Sequence, residues 1–234
     1  MPDISKINNV AVADISKLDS ITFADGQKVN NQDVSLITDA HTLITTITVP
    51  EDSSSPVAAI DFTSGIDSTY DVYEFVATSL HPASSGVNLL FQVNLSNDED
   101  GDYDQTRMSS THWQSYHNEA NTSAAVAYSG NYHADDVGTG IVKLLGGLVN
   151  GNDNTASGTL QLYGPSSTSF NSHALSRFNF TNSDPHYTTD ANVTILIGDH
   201  TDNYSWVAVT QVRFMMSSGN IDAGEIKMYG YKIT

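Results

Sequence analysis

The chain has no cysteine, few basic residues and no long apolar run, and each shortage removes a class of function. Without cysteine there is no disulfide, no thiolate zinc site and no cysteine nucleophile. Nine Lys and Arg stand against 27 Asp and Glu, a formal charge of −18. Nucleic acids are held by neutralising their phosphates with Lys and Arg, so no nucleic-acid partner is expected. An anionic membrane surface is disfavoured for the same reason. No segment approaches the roughly 20 apolar residues that cross a bilayer. The first apolar residues are isolated rather than gathered into the roughly 7–15-residue core of a secretory leader. These features predict a soluble protein with no membrane partner, made in a cytoplasm.

Charged residues make up only 15% and apolar residues 39% of the 234. Serine, threonine, asparagine, aspartate and glycine fill the gap, which is the composition of a turn-rich β protein. The length suits one large β domain with a small appendage or two modest domains, and no composition break splits the body in two.

That appendage announces itself as a repeat. Asp3-Ile-Ser-Lys-Ile-Asn-Asn-Val10 returns 11 residues later as Asp14-Ile-Ser-Lys-Leu-Asp-Ser-Ile21. Ile4, Ile7 and Val10 recur as Ile15, Leu18 and Ile21, each flanked by polar residues. Ribbons this short cannot bury themselves and need another surface to lie against. Residues 1–35 are therefore read as an attachment segment, with those six apolar positions as the anchoring contacts. The competing reading is an N-terminal hairpin tied down on its own domain.

From residue 36 onward, short β-like runs alternate with turn clusters. The clearest is Asn88–Leu95, where Leu89, Phe91, Val93 and Leu95 alternate with Asn88, Leu90, Gln92 and Asn94. One apolar and one mostly polar face predict a half-buried strand. Similar runs span Leu43–Val49, Tyr70–Thr78, Ser123–Tyr128, Gly158–Tyr163, Asn192–Ile197, Trp206–Met215 and Glu225–Ile233. Weaker ones span Val57–Phe62, Arg107–His117, Val142–Val149 and Ser176–Phe180. Roughly ten to twelve evenly spaced strands predict an all-β fold over 36–234, an antiparallel jelly-roll-like β-sandwich with an extra strand or two. The alanines at 120, 124, 125 and 127 admit one short helix, because alanine is the best helix former.

Several patches carry a family resemblance. Ser64-Gly-Ile-Asp-Ser-Thr-Tyr-Asp-Val-Tyr-Glu-Phe75, followed by Leu89-Leu-Phe-Gln-Val-Asn94, resembles the opening strands of tailed-bacteriophage virion surface proteins, those of marine cyanophages among them. Gly219-Asn-Ile-Asp-Ala-Gly-Glu-Ile-Lys-Met-Tyr-Gly-Tyr-Lys232 is similar to their closing hairpin, and the Asp-Ile-Ser-Lys-Ile-Asn repeat to their N-terminal segments. The resemblance implies a jelly-roll-like domain on the exterior of a phage particle, as a capsid decoration or cement protein, head fibre or tail-fibre element. Its partners would then be other virion proteins of capsid or tail. Copies are expected as homo-oligomers, trimers among them, since repetition gives avidity. The resemblance brings no catalytic motif.

The candidate chemistry is sparse. Asp98-Glu-Asp-Gly-Asp-Tyr-Asp104 offers carboxylate oxygens of the kind Ca²⁺ prefers, but glycine is fourth rather than sixth and Ser109 occupies the twelfth position. A solvated loop is the simpler account, and any Ca²⁺ there would be structural. The eight histidines form no zinc-binding pair; His112 and His117 fall on opposite faces of a strand. Glu74, in an otherwise apolar run, is the most unusual carboxylate, and an edge position or a hydrogen-bonded core site explains it. No catalytic or cofactor-binding residue is assigned, and a non-enzymatic role is expected. Trp113 and Tyr116, with Tyr128 and Tyr132, lie in a stretch rich in Ser, Asn and His. Exposed rings in such surroundings stack on sugars, which makes a host-glycan-binding or receptor-binding module the alternative function. Large aromatics are highly buried on average, so Trp113 and Tyr128 are expected in the core.

Overall fold

The computed structural model describes residues 6–7, 10–11, 28–29, 32–33, 41–51, 55–97, 103, 106–128, 140–182, 187–198 and 207–232. The chain divides into two compact units, Met1–Thr42 and Leu43–Thr234. In the first, β1 (Lys6–Ile7) pairs antiparallel with β2 (Val10–Ala11), and β3 (Lys28–Val29) with β4 (Gln32–Asp33). Each pair brackets an Asn-Asn dipeptide in the sequence. Ile7 and Val10 are register partners. Ile4, Ile15, Leu18 and Ile21 lie outside the described residues.

The second unit is an antiparallel β-sandwich. Its strands are β5 (Thr42–Val49), β6 (Ala59–Phe62), β7 (Val72–Pro82), β8 (Val87–Leu95), β9 (Arg107–Asn118), β10 (Ala124–Tyr128), β11 (Val142–Leu148), β12 (Ala156–Tyr163), β13 (Ser172–Thr181), β14 (Tyr187–Gly198), β15 (Val209–Met216) and β16 (Ile221–Tyr231). One sheet has eight strands in the order β10-β9-β14-β13-β12-β7-β16-β5; the other has four, β11-β8-β15-β6. Let β6 be the first strand and the β12–β13–β14 meander stand together as the seventh. The small sheet then runs first, eighth, third, sixth, and the large one second, seventh, fourth, fifth. That is jelly-roll order, with β16 and β5 added beyond β7.

The two inner faces meet in one apolar core. Phe75 of β7 packs against Phe62 and Phe214 from the opposing sheet, with ring centroids 5.1 and 5.5 Å apart, and Phe91 joins Phe214 at 5.7 Å. Each fully buried aromatic of this kind contributes about 1.5–3 kcal/mol of transfer free energy.

The stretches Ser64–Phe75 and Gly219–Lys232 are brought together, because β7 and β16 are neighbours. Asp67 Oδ1 accepts from the Thr69 N–H at 2.7 Å, closing a turn, and the buried Tyr73 hydroxyl donates to the Asp67 carbonyl oxygen at 2.9 Å. Tyr70 stacks edge-on against Tyr73, with centroids 5.8 Å apart. On its other side it leaves no room for a side chain at position 230: a Cβ on Gly230 would sit 2.3 Å from Tyr70 Cδ2. Gly230 of β16 is thus required by the turn that precedes β7.

Two expectations need correction. The alanine-rich stretch is no helix: β10 pairs with β9 as a hairpin strand. Asn118 drives the reversal, its Oδ1 accepting from the N–H groups of Thr122 and Ser123 at 2.9 and 3.0 Å, with Asn121 at φ 54. These side chain–backbone bonds favour a turn over helix initiation. The second correction concerns β8, which is buried on both faces: Gln92 is 6% and Asn94 2% exposed.

The cover over β8 is Tyr103. Its hydroxyl donates to Gln211 Oε1 at 3.0 Å, and its carbonyl oxygen accepts from Gln92 Nε2 at 3.2 Å. The Arg213 guanidinium lies 4.1 Å from its ring centroid. Arg213 is held in turn by Asp61 through two parallel bonds of 2.7 and 2.9 Å. Tyr103 has φ 66, and a Cβ on Gly140 would lie 2.5 Å from its carbonyl oxygen. Only glycine admits that approach.

Candidate functional site

Along β9 and β14 the side chains alternate between the core and the outer face of the large sheet. Met108, Ser110 and His112 of β9 are buried, as are Ala191, Val193 and Ile195 of β14. Trp113, Ser115 and His117 therefore point outward, and so do Asp190, Asn192, Thr194 and Leu196. In β10 the exposed set is Ala124, Val126 and Tyr128.

Trp113 and Tyr128 are thus surface residues, 45% and 64% exposed, rather than the core residues their size suggested. They are direct partners across the β9–β10 ladder, so their Cβ atoms stand about 5 Å apart. On its other side Trp113 is the register partner of Asn192, and Asn192 that of Arg177. One row across the sheet therefore reads Tyr128, Trp113, Asn192, Arg177. In the adjoining row lie Val126, Ser115, Asp190 and Asn179. Arg177 spans the two rows, donating from Nε and Nη2 to the Asp190 carboxylate at 3.1 and 3.0 Å. That carboxylate raises the guanidinium pKa further. Tyr116, an odd number of residues from Trp113, belongs to the opposite, core-facing side of β9 and is half-buried there. The strand separates these two sequence-predicted residues.

Farther across the same outer face, Glu74 lies on β7 between β12 and β16, an interior strand rather than an edge. Its Oε1 accepts from Gln161 Nε2 at 2.9 Å; the same nitrogen donates to the Tyr231 hydroxyl at 3.1 Å, and the Tyr163 hydroxyl donates to Gln161 Oε1 at 2.5 Å. Burial, then the neighbouring Glu74 charge, push the Tyr231 hydroxyl up to about 12. Glu74 is thus a hydrogen-bonded member of a half-buried polar network on the outer face.

A groove of about 690 Å³ runs beside the twin bulges where β16 passes β7. His81 bridges it, with Nδ1 2.5 Å from Asp222 Oδ1 and Nε2 3.0 Å from the Gly151 carbonyl oxygen. Glu225, also on its wall, accepts from Thr48 Oγ1 at 2.8 Å and pairs with Lys227 at 2.9 Å. Both carboxylates are engaged in holding strands and loops together. Among the described residues, no three His, Asp or Glu side chains converge as a metal site would. Of the acidic 98–104 loop only Tyr103 is described, so its carboxylates, and with them the Ca²⁺ expectation, lie outside the described residues. His112 is fully buried in the core, where desolvation lowers its pKa, while His117 is exposed on the opposite face and bonded to Asn121 Oδ1 at 3.0 Å.

No protein-family model and no curated protein matches this chain.

Asn192, Arg177 and Asp190 were not foreseen as site residues. Each sits in a run legible only as strand, and the signal that joins them to Trp113 is the β9–β14–β13 register, which no local pattern encodes.

Proposed function

We propose that this chain is a non-enzymatic structural protein of a phage particle exterior: a capsid-decorating, cement or head-fibre protein, anchored by its N-terminal segment with the sandwich turned outward. The observation that carries this reading is the division of the chain into a small unit ending at Thr42 and a large jelly-roll sandwich. The small unit holds two-residue strand pairs. Such ribbons gain their burial and main-chain bonding from a partner surface, as in strand addition. Neighbouring capsid or tail proteins are the proposed partners, engaged by several copies at once. Deletion of residues 1–35 is expected to leave a cooperatively folding sandwich that no longer joins particles, measured as copies per purified particle. Full occupancy by the truncated form would overturn the anchoring role.

A second reading, a receptor-binding module for host glycans, is favoured by one observation: Trp113 and Tyr128 stand side by side on the surface. The two readings are compatible, since an exterior protein is placed to meet a cell.

A further inference from the structure

We propose that the β10–β9–β14–β13 end of the large sheet is a saccharide-binding face. Trp113 and Tyr128 would form the stacking platform, with Asn192, Arg177 and Asp190 as the hydrogen-bonding groups. The proposal rests on the glycan-binding reading above and gives that reading its site and ligand chemistry.

Three observations carry it. The first is the platform: two large rings, adjacent in register, are both exposed, whereas half of the described rings are fully buried. An aromatic face offers an apolar plane to the axial C–H groups of a pyranose. The second is the polar row beside it. Arg177 has five N–H donors and directs two of them to Asp190, leaving others for a ligand. Its side chain is 72% exposed and that of Asp190 22%, so both remain open to a ligand. Asn192, between Trp113 and Arg177, adds a carboxamide that can both donate and accept. Planar groups of both polarities beside a ring match the vicinal hydroxyls of a sugar.

The third is charge. Strands β9, β10, β13 and β14 contain a single carboxylate, Asp190, and Arg177 neutralises it. In a chain with 27 acidic residues this face is depleted of free negative charge. A basic partner would find better sites elsewhere on the molecule. A second copy of the chain would bring another formal charge of −18 against this one. An uncharged or acidic saccharide meets neither obstacle.

The test applies the full-length protein to an array of neutral hexose, N-acetylhexosamine and uronic-acid oligosaccharides, and remeasures bound classes in solution by calorimetry. At least one class is expected to bind. Trp113→Ala should weaken that binding by about tenfold or more, and Tyr128→Ala and Arg177→Ala each by about threefold to tenfold. Circular dichroism and melting temperature should stay unchanged in Trp113→Ala and Tyr128→Ala. Leu196→Ala, on the same face but away from the platform, should leave the affinity intact. Binding that survives both aromatic substitutions overturns this site while leaving the glycan-binding reading standing. No binding by any class at concentrations on the order of 10 mM overturns both. A Trp113-dependent dimer in sedimentation, with no saccharide bound, would mean that the platform belongs to a self-association surface instead.

Discussion

The outer face of the four-stranded sheet is covered over β8, whereas the outer face of the eight-stranded sheet is open at its β10 end. Over β8 and β15 the polar side chains Gln92, Gln211 and Arg213 all converge on one residue, Tyr103. Over β9, β14 and β13 a similar mixture of rings, amides and an Arg–Asp pair meets water: Trp113 is 45%, Leu175 46% and Leu196 39% exposed. The same kinds of residue thus serve stability on one side of the sandwich and are available for recognition on the other. A polar strand face does not declare which of these it is. That depends on whether a loop lies over it.

The contrast breaks most severely if the cover is removed. Tyr103→Ala is expected to cost about 3 kcal/mol, as for other fully buried aromatics, because it opens a cavity, strands Gln211 Oε1 and removes the ring under Arg213. Urea unfolding checks it; a loss under about 1 kcal/mol would mean that Tyr103 is not the seal described here.

Alkaline pH probes the same cover without mutation. Burial, then the Asp61 charge, push the Tyr103 hydroxyl up to about 12, with Arg213 opposing. An unfolded tyrosine ionises near 10. Between those values the unfolded chain loses a proton that the folded one keeps, so stability is full below about pH 10 and falls as pH rises through about 12. Ultraviolet titration should show late-ionising tyrosines, Tyr103 and Tyr231, among the 11. In Tyr103→Phe one late phenol should disappear, and the alkaline loss of stability should be smaller.

Arg213→Met should cost about 1–2 kcal/mol, between exposed and buried pairs, since the Arg213 and Asp61 side chains are 27% and 31% exposed. Most of that loss should be recovered when Asp61→Asn is added, and strict additivity in the double-mutant cycle would contradict the coupling described. At the open face, Trp113→Ala should move stability by no more than about 0.5 kcal/mol. A larger loss would show the indole to be a packing residue after all.

Much of the sandwich is written locally. Each predicted run overlaps an observed strand, from Leu43–Val49 within β5 to Ser176–Phe180 within β13, because period-two alternation needs only a residue and its immediate neighbours. The separation of Trp113 from Tyr116 was equally legible, since an odd spacing along a strand puts two side chains on opposite faces. Less could be read at β10, where alanine content suggested helix while the turn at Asn118–Ser123 and pairing with β9 imposed a strand. Tertiary pairing overrides helix propensity when the segment is only five residues long.

Composition and alternation alone determined an acidic, cysteine-free all-β chain with its strands near where they lie, because turn chemistry and strand period are short-range properties. Only the tertiary structure decided that Gln92 and Asn94 are buried, that Trp113 and Tyr128 are exposed, and that Asn192 and Arg177 stand beside them. Those outcomes depend on which distant strand is the neighbour and on which loop lies above. Register and cover join residues far apart in the chain, so no window of the sequence contains them.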